Sequence, residues 1–209
     1  MRDAMSVVVL ISGRGSNLES ILRSGAPVAA VISNEAAAGG LQIAERHGVA
    51  VRVVPHREYP TREAFDAALA AEIDRFAPQL VAMAGFMRIM TPGFVERYSG
   101  RLVNIHPSLL PAFPGLSTHA RALAAGVKVH GCTVHFVTRE LDHGPIIVQA
   151  AVPVLAADTA EALAARVLRE EHQVYPIAIR WFLEGRLVSE NGVVRVLGND
   201  AQLVYSDRA

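Results

Sequence analysis

The chain has 209 residues, 51% of them hydrophobic and 19% charged, which gives enough material for a sizeable core and excludes a disordered or low-complexity protein. Twenty basic residues balance twenty acidic ones, so bulk electrostatics point to neither a nucleic acid nor an anionic membrane as partner. The single cysteine, Cys132, excludes an internal disulfide framework and fits a reducing compartment.

The opening Met1-Arg2-Asp3-Ala4-Met5 leads directly into the apolar run Val7–Ile11. That run is too short for a signal peptide or a membrane span, so a cytoplasmic location is expected. A continuous apolar run also reads as a buried parallel strand. It ends in Ser12-Gly13-Arg14-Gly15-Ser16-Asn17, followed by a helix over residues 18–22, a strand over 28–32, a short helix over 41–47 stopped by Gly48, and a third strand over 50–54. From Thr61 the apolar residues Phe65, Leu69, Ile73 and Phe76 recur at helical spacing until Pro78 blocks extension, and Leu80–Met83 forms a fourth strand. This alternation predicts an α/β fold with a doubly wound, mostly parallel sheet.

The second half changes character. Leu102-Val103-Asn104-Ile105-His106 reads as a strand that stops in a loop carrying Pro107, Pro111, Pro114 and Gly115. A small helix over 118–125 comes next, then two longer strands over 128–138 and 145–152, a mixed extension of the main sheet. Asp158 and Glu161 suggest a capping-box start for a helix running to about Glu184, stopped by Gly185 and kinked at Pro176. The tail from Glu190 to Ala209 is expected to be polar and peripheral. No repeat or linker interrupts the chain, so 1–209 is expected to be one domain, with lobes at 1–100 and 101–209.

Four places carry candidate chemistry. The glycine loop between a buried strand and a helix offers backbone amides and a helix dipole to a phosphate, or else is a tight β–α turn with Ser16 or Asn17 as N-cap. The stretch Gly85-Phe86-Met87-Arg88-Ile89-Met90, after the fourth strand, would suit a flat heteroaromatic ring or simply pack the core. Asn104 and His106 project from one face of a strand at its carboxyl end, where open α/β sheets place ligands. An amide and an imidazole there can stabilise an oxyanion and move a proton, although a structural Asn–His pair is the alternative. Asp142, in Leu141-Asp142-His143-Gly144-Pro145, is a turn former that could also support an imidazolium and order a proton-carrying water. His119, His130, His135 and His143 lack ligand spacing for zinc, Ser12 and Ser108 lack a nucleophile-elbow context, and Cys132 reads as core.

Taken in order, Ile11-Ser12-Gly13-x-Gly15-Ser16-Asn17, Ala84-Gly85-Phe86-Met87-Arg88, Asn104-Ile105-His106-Pro107-Ser108-Leu109-Leu110-Pro111 and Leu141-Asp142-x-Gly144-Pro145 closely resemble the phosphoribosylglycinamide formyltransferase family. The resemblance implies a Rossmann-like formyltransferase fold and transfer of the formyl group of 10-formyltetrahydrofolate, the co-substrate, to the amine of glycinamide ribonucleotide in purine biosynthesis. It implies catalytic roles for Asn104, His106 and Asp142, and ribonucleotide contacts from Gly15, Ser16, Asn17 and Glu171. Folate contacts would come from Arg62, Met87, Arg88, Ile89, Met90 and Asn104, and from Thr138, Arg139, Glu140, Leu141 and His143. It also implies a cis Leu110-Pro111 bond, no metal, no nucleic-acid or membrane partner, and a monomer or homodimer.

Within the wider family, methionyl-tRNA formyltransferase adds a C-terminal barrel and formyltetrahydrofolate hydrolase an N-terminal regulatory domain. A first strand at Val7 and an end at Ala209 point away from both, and Phe113-Pro114-Gly115-Leu116 is similar to the ribonucleotide enzymes. Two departures stand out: Ser117-Thr118-His119 in place of His-Thr-His, and His143 in place of a small residue. Folate hydrolysis and a non-catalytic binding regulator are the competing readings.

Overall fold

Every residue of β1 (Val7–Ile11) is fully buried, as its unbroken apolar run predicts. The computed structural model describes residues 6–206; the lead-in at residues 1–5 and the end of the tail, 207–209, lie outside the described residues. The chain divides into two compact units, Met1–Val103 and Asn104–Ala209, with the division falling inside strand β5 (Leu102–His106).

In the first unit β1 pairs in parallel with β2 (Val28–Ser33) on one side and β4 (Leu80–Met83) on the other, and β3 (Ala50–Val53) extends the run beyond β2. Helices α1 (Ser16–Arg23), α2 (Gly39–Arg46), α3 (Arg62–Asp74) and α4 (Pro92–Arg97) connect these strands or follow them. Thr61 caps α3 by accepting from the Ala64 amide at 3.1 Å, and Phe65, Leu69 and Ile73 turn inward at the expected spacing. The helix stops at Asp74, short of Phe76, because Ala77 adopts a left-handed φ of 43° ahead of Pro78. Helix α4 is too short for its periodicity to mark it in the sequence; Thr91 caps it and Pro92 opens it.

In the second unit β6 (Val129–Phe136) and β7 (Ile146–Pro153) pair antiparallel, and β10 (Leu203–Tyr205) adds in parallel to β7. The short α5 (Thr118–Ala124) precedes β6, and α6 (Ala160–Leu183) runs unbroken through Pro176 for 24 residues, about 36 Å. One expectation is corrected. The cap of α6 is Thr159, which accepts from the Ala162 amide; Asp158 instead accepts from the Leu155 amide and forms a two-pronged ion pair with Arg166 that holds its carboxyl down to about 2. The tail lies at the surface, as expected, and is ordered there: β8 (Leu187–Glu190) and β9 (Val193–Val196) make a hairpin, and the Gln202 side chain donates to the carbonyls of Ile147 and Val194 just before β10. The result is an α/β fold of mostly parallel strands flanked by helices with a mixed C-terminal extension. Among the described residues no helix is long and apolar enough to cross a membrane.

Candidate active site

The loop leaving β5 is bolted to its neighbours by side chains that sequence patterning does not reveal. The Thr133 hydroxyl on β6 donates to the Ser108 carbonyl at 2.7 Å and accepts from the Leu110 amide at 3.0 Å. Gln149 on β7 donates to the Leu110 carbonyl at 2.9 Å, and Thr118 at the start of α5 donates to the Pro107 carbonyl at 2.7 Å. The Leu110-Pro111 bond is cis, as the resemblance implied. Phe113, Ser117 and Asp142 all hold left-handed backbone in this loop or the one after β6. Such conformations persist in non-glycine residues only where the surroundings over-determine them.

This framework brings Asn104, His106 and Asp142 together. The Nε2 of His106 lies 3.1 Å from the Phe113 carbonyl, and because a carbonyl only accepts, that nitrogen carries a hydrogen. The Nδ1 on the other side of the ring faces Oδ2 of Asp142 at 3.5 Å. The same carboxylate oxygen accepts from the Gly115 amide at 2.8 Å, which ties the loop after β6 to the loop after β5.

His135, weighed in the sequence only as a zinc ligand, is the fourth member. Its Nδ1 donates to the Phe136 carbonyl at 2.8 Å, leaving Nε2 to accept from the Asn104 amide at 3.5 Å and to approach Asp142 Oδ1 at 4.0 Å. Burial pushes its pKa below the ordinary value, which keeps Nε2 bare. The signal was present: Thr133 and His135 alternate on a buried strand, the same inward polarity that singled out Asn104 and His106.

Behind His106 sits an aromatic group. His119 and His130 meet edge to face at 5.3 Å, and the Phe113 ring meets His130 at 5.9 Å. Burial, reinforced by the neighbouring His119, pushes His130 down to about 4. Thr138, Arg139, Glu140, Leu141 and His143 all belong to the loop between β6 and β7; His143 is exposed, and its Nδ1 donates to the Leu141 carbonyl at 2.7 Å. Glu171 lies buried on α6.

The remaining candidates lie in the first unit. Gly15, not Ser16 or Asn17, is the N-cap of α1, with φ 82° and no side-chain cap. The position demands glycine twice over: the backbone is left-handed, and a Cβ there would stand 2.5 Å from the Gly40 Cα at the start of α2. Ser16 and Asn17 open the helix. In the second strand-end loop Met87 and Ile89 are exposed, at 65% and 60%, while Met90 is buried. Arg62 donates to the Ile89 carbonyl, and the Arg88 guanidinium sits 5.9 Å from the Phe65 ring. Two large apolar side chains held in solvent suit a flat ligand better than a core.

Residues 5–179 match the family model described as Formyl transferase. The chain is 51% identical over 189 residues to the phosphoribosylglycinamide formyltransferase of Escherichia coli K12, covering 88% of this chain and 89% of that one. It superposes with a TM-score of 0.91 on glycinamide ribonucleotide transformylase 1 from Symbiobacterium toebii, at 51% identity over 95% and 96% of the two chains. The phosphoribosylglycinamide formyltransferase from Anaplasma phagocytophilum gives 0.92 at 41% identity over 97% and 99%. With a model match over most of its length, relatives at this identity and an Asn104–His106–Asp142 constellation built on the matched segment, the chain belongs to the formyl transferase family.

Proposed function

We propose that this protein transfers the formyl group of 10-formyltetrahydrofolate to the amine of glycinamide ribonucleotide, as a cytoplasmic enzyme of purine biosynthesis. The observation that carries the reading is the buried contact of His106 with Asp142 beside the Asn104 amide. The names of the relatives supply the acceptor and the formyl group, and the motif resemblance supplies the folate donor.

The amine nitrogen of the ribonucleotide attacks the formyl carbon, forming a C–N bond and placing the carbonyl electron pair on oxygen. The Asn104 amide, oriented by His135, donates to that oxyanion, and the positive charge of the His106 imidazolium stabilises it. Asp142 accepts from the Gly115 amide, stands beside the imidazolium, and holds the water that carries a proton from the attacking nitrogen to folate N10. The carbonyl re-forms, the bond from the formyl carbon to N10 breaks, and tetrahydrofolate leaves with the proton.

Gly15, Ser16 and Asn17 supply phosphate-binding amides at the start of α1, and Glu171 takes the ribose hydroxyls. Met87, Arg88, Ile89 and Met90 receive the pterin, Arg62 the folate tail, and Thr138, Arg139, Glu140, Leu141 and His143 close over the donor. No step calls on a metal.

The test follows the folate absorbance change with both substrates and with each alone. Formyl transfer that requires glycinamide ribonucleotide is expected. Formate release without it would make the protein a hydrolase, and binding without turnover would make it a regulator.

A further inference from the structure

The loop Met87–Met90 is anchored in an unexpected way. Ser12, the residue after β1, brackets the root of that loop: its amide donates to the Gly85 carbonyl at 3.2 Å, and its hydroxyl accepts from the Met87 amide at 2.8 Å. Chemistry fixes the direction of the hydrogen bonds beyond this point. A backbone N–H only donates, so the Ser12 oxygen is the acceptor there and must spend its own hydrogen elsewhere. It donates to Oδ1 of Asn34 at 2.5 Å. The amide nitrogen of Asn34 in turn lies 3.0 Å from Nδ1 of His56, a nitrogen that also stands 3.2 Å from the Asn34 backbone carbonyl and 3.6 Å from Glu35 Oε1.

Asn34 is 2% exposed and follows the last residue of β2. A buried carboxamide is costly unless it is partnered, and here Oδ1 is spent on orienting the Ser12 hydroxyl while Nδ2 faces His56. The far side of the loop is held separately, by Arg62 on the Ile89 carbonyl. Between these two clamps the side chains of Met87 and Ile89 stand out into solvent.

We propose that Ser12 and Asn34 are positioning residues for the folate donor, fixing the Met87 amide so that the exposed Met87–Met90 ridge is preorganised before the pterin arrives. The proposal rests on the reading of that loop as a folate contact. Preorganisation lowers the cost of ordering a loop on binding, so its loss appears chiefly in donor affinity.

The test uses Ser12→Ala and Asn34→Leu in the full chain, with Asn34→Asp as the conservative variant because it keeps an acceptor for the Ser12 hydroxyl. Two readouts are taken: steady-state kinetics with 10-formyltetrahydrofolate and glycinamide ribonucleotide, and hydrogen exchange of the Met87 amide. In Asn34→Leu the folate KM is expected to rise about three- to tenfold, the worth of one hydrogen bond, and to rise more than the ribonucleotide KM does or kcat falls. Exchange at Met87 accelerates in Ser12→Ala and Asn34→Leu, and Asn34→Asp returns both readouts towards wild type. Unchanged Met87 exchange in Ser12→Ala overturns the proposal, as does an equal rise of both KM values in Asn34→Leu. A wild-type protein that consumes no folate brings down the functional reading instead, and Met87 exchange then decides the hydrogen-bond chain by itself.

Discussion

The two ring nitrogens of His106 are committed to different partners: Nε2 to the Phe113 carbonyl at 3.1 Å and Nδ1 to the Asp142 carboxylate at 3.5 Å. The carbonyl fixes which nitrogen always carries a hydrogen. Nδ1 is then the nitrogen that faces a carboxylate whose side chain is 7% exposed. The two contacts hold the imidazole ring in a defined orientation, and that orientation makes the site testable residue by residue.

Asp142→Asn removes the charge while keeping the shape. The Gly115 amide retains an acceptor, so the loop should stay in place. Turnover is expected to fall about a hundredfold or more, the usual range for a group that handles a proton. Steady-state kcat beside an unchanged melting curve checks this; near-wild-type turnover would remove Asp142 from the mechanism.

Asn104→Ala deletes the uncharged oxyanion donor and is expected to lower kcat by about two to three decades. His135→Phe leaves that donor present but unoriented, because Nε2 no longer accepts from it. Its loss should be smaller, and adding His135→Phe to Asn104→Ala should cost little more. Full additivity in that double-mutant cycle would separate the two residues.

Gly144 allows the loop that carries Asp142 to return onto β6. A Cβ at this position would run into the Phe136 carbonyl oxygen, a backbone atom with nowhere to go. Gly144→Ala should therefore destabilise the fold by about 1–3 kcal/mol and lower kcat by displacing the carboxylate. Urea denaturation alongside activity checks both effects, and a neutral variant would show that the loop relaxes freely.

Burial holds His130 near 4, against about 6.5 in an unfolded chain, and also lowers His119 and His135. The unfolded protein thus binds protons that the folded protein refuses. Stability is fully present above about pH 6.5 and is lost as pH falls towards 4, by roughly 3 kcal/mol for His130 alone. His130→Gln should flatten that slope in chemical denaturation measured at a series of pH values. An unchanged slope would assign the acid limb to other groups.

Much of this was legible in the sequence because it is local. The unbroken apolar run Val7–Ile11 marks a buried parallel strand, and Thr61 with Phe65, Leu69 and Ile73 defines the inward face of α3. The alternation of Asn104 and His106 puts both on one face at a strand end, which is what marks the site. Substrate identity came from the motif resemblance, not from periodicity.

What escaped the sequence depends on partners distant along the chain. Asp158 looks like a helix cap until Arg166 takes its carboxylate and leaves the cap to Thr159. The polar tail is peripheral, but nothing in its pattern shows that Gln202 will find the Ile147 carbonyl or β10 the strand β7. His135 gives no sign of which group its free nitrogen will meet, because that is set by the register of β6 and by how the loop after it folds back. The sequence by itself determined the elements, their buried faces and the residue types at the strand ends. Only the tertiary structure decided which nitrogen of His106 faces Asp142, that Asn104 leans on His135, and that Ser12 holds the Met87 amide. Periodicity encodes which way a side chain points, whereas a hydrogen bond between loops depends on the packing of every element between them.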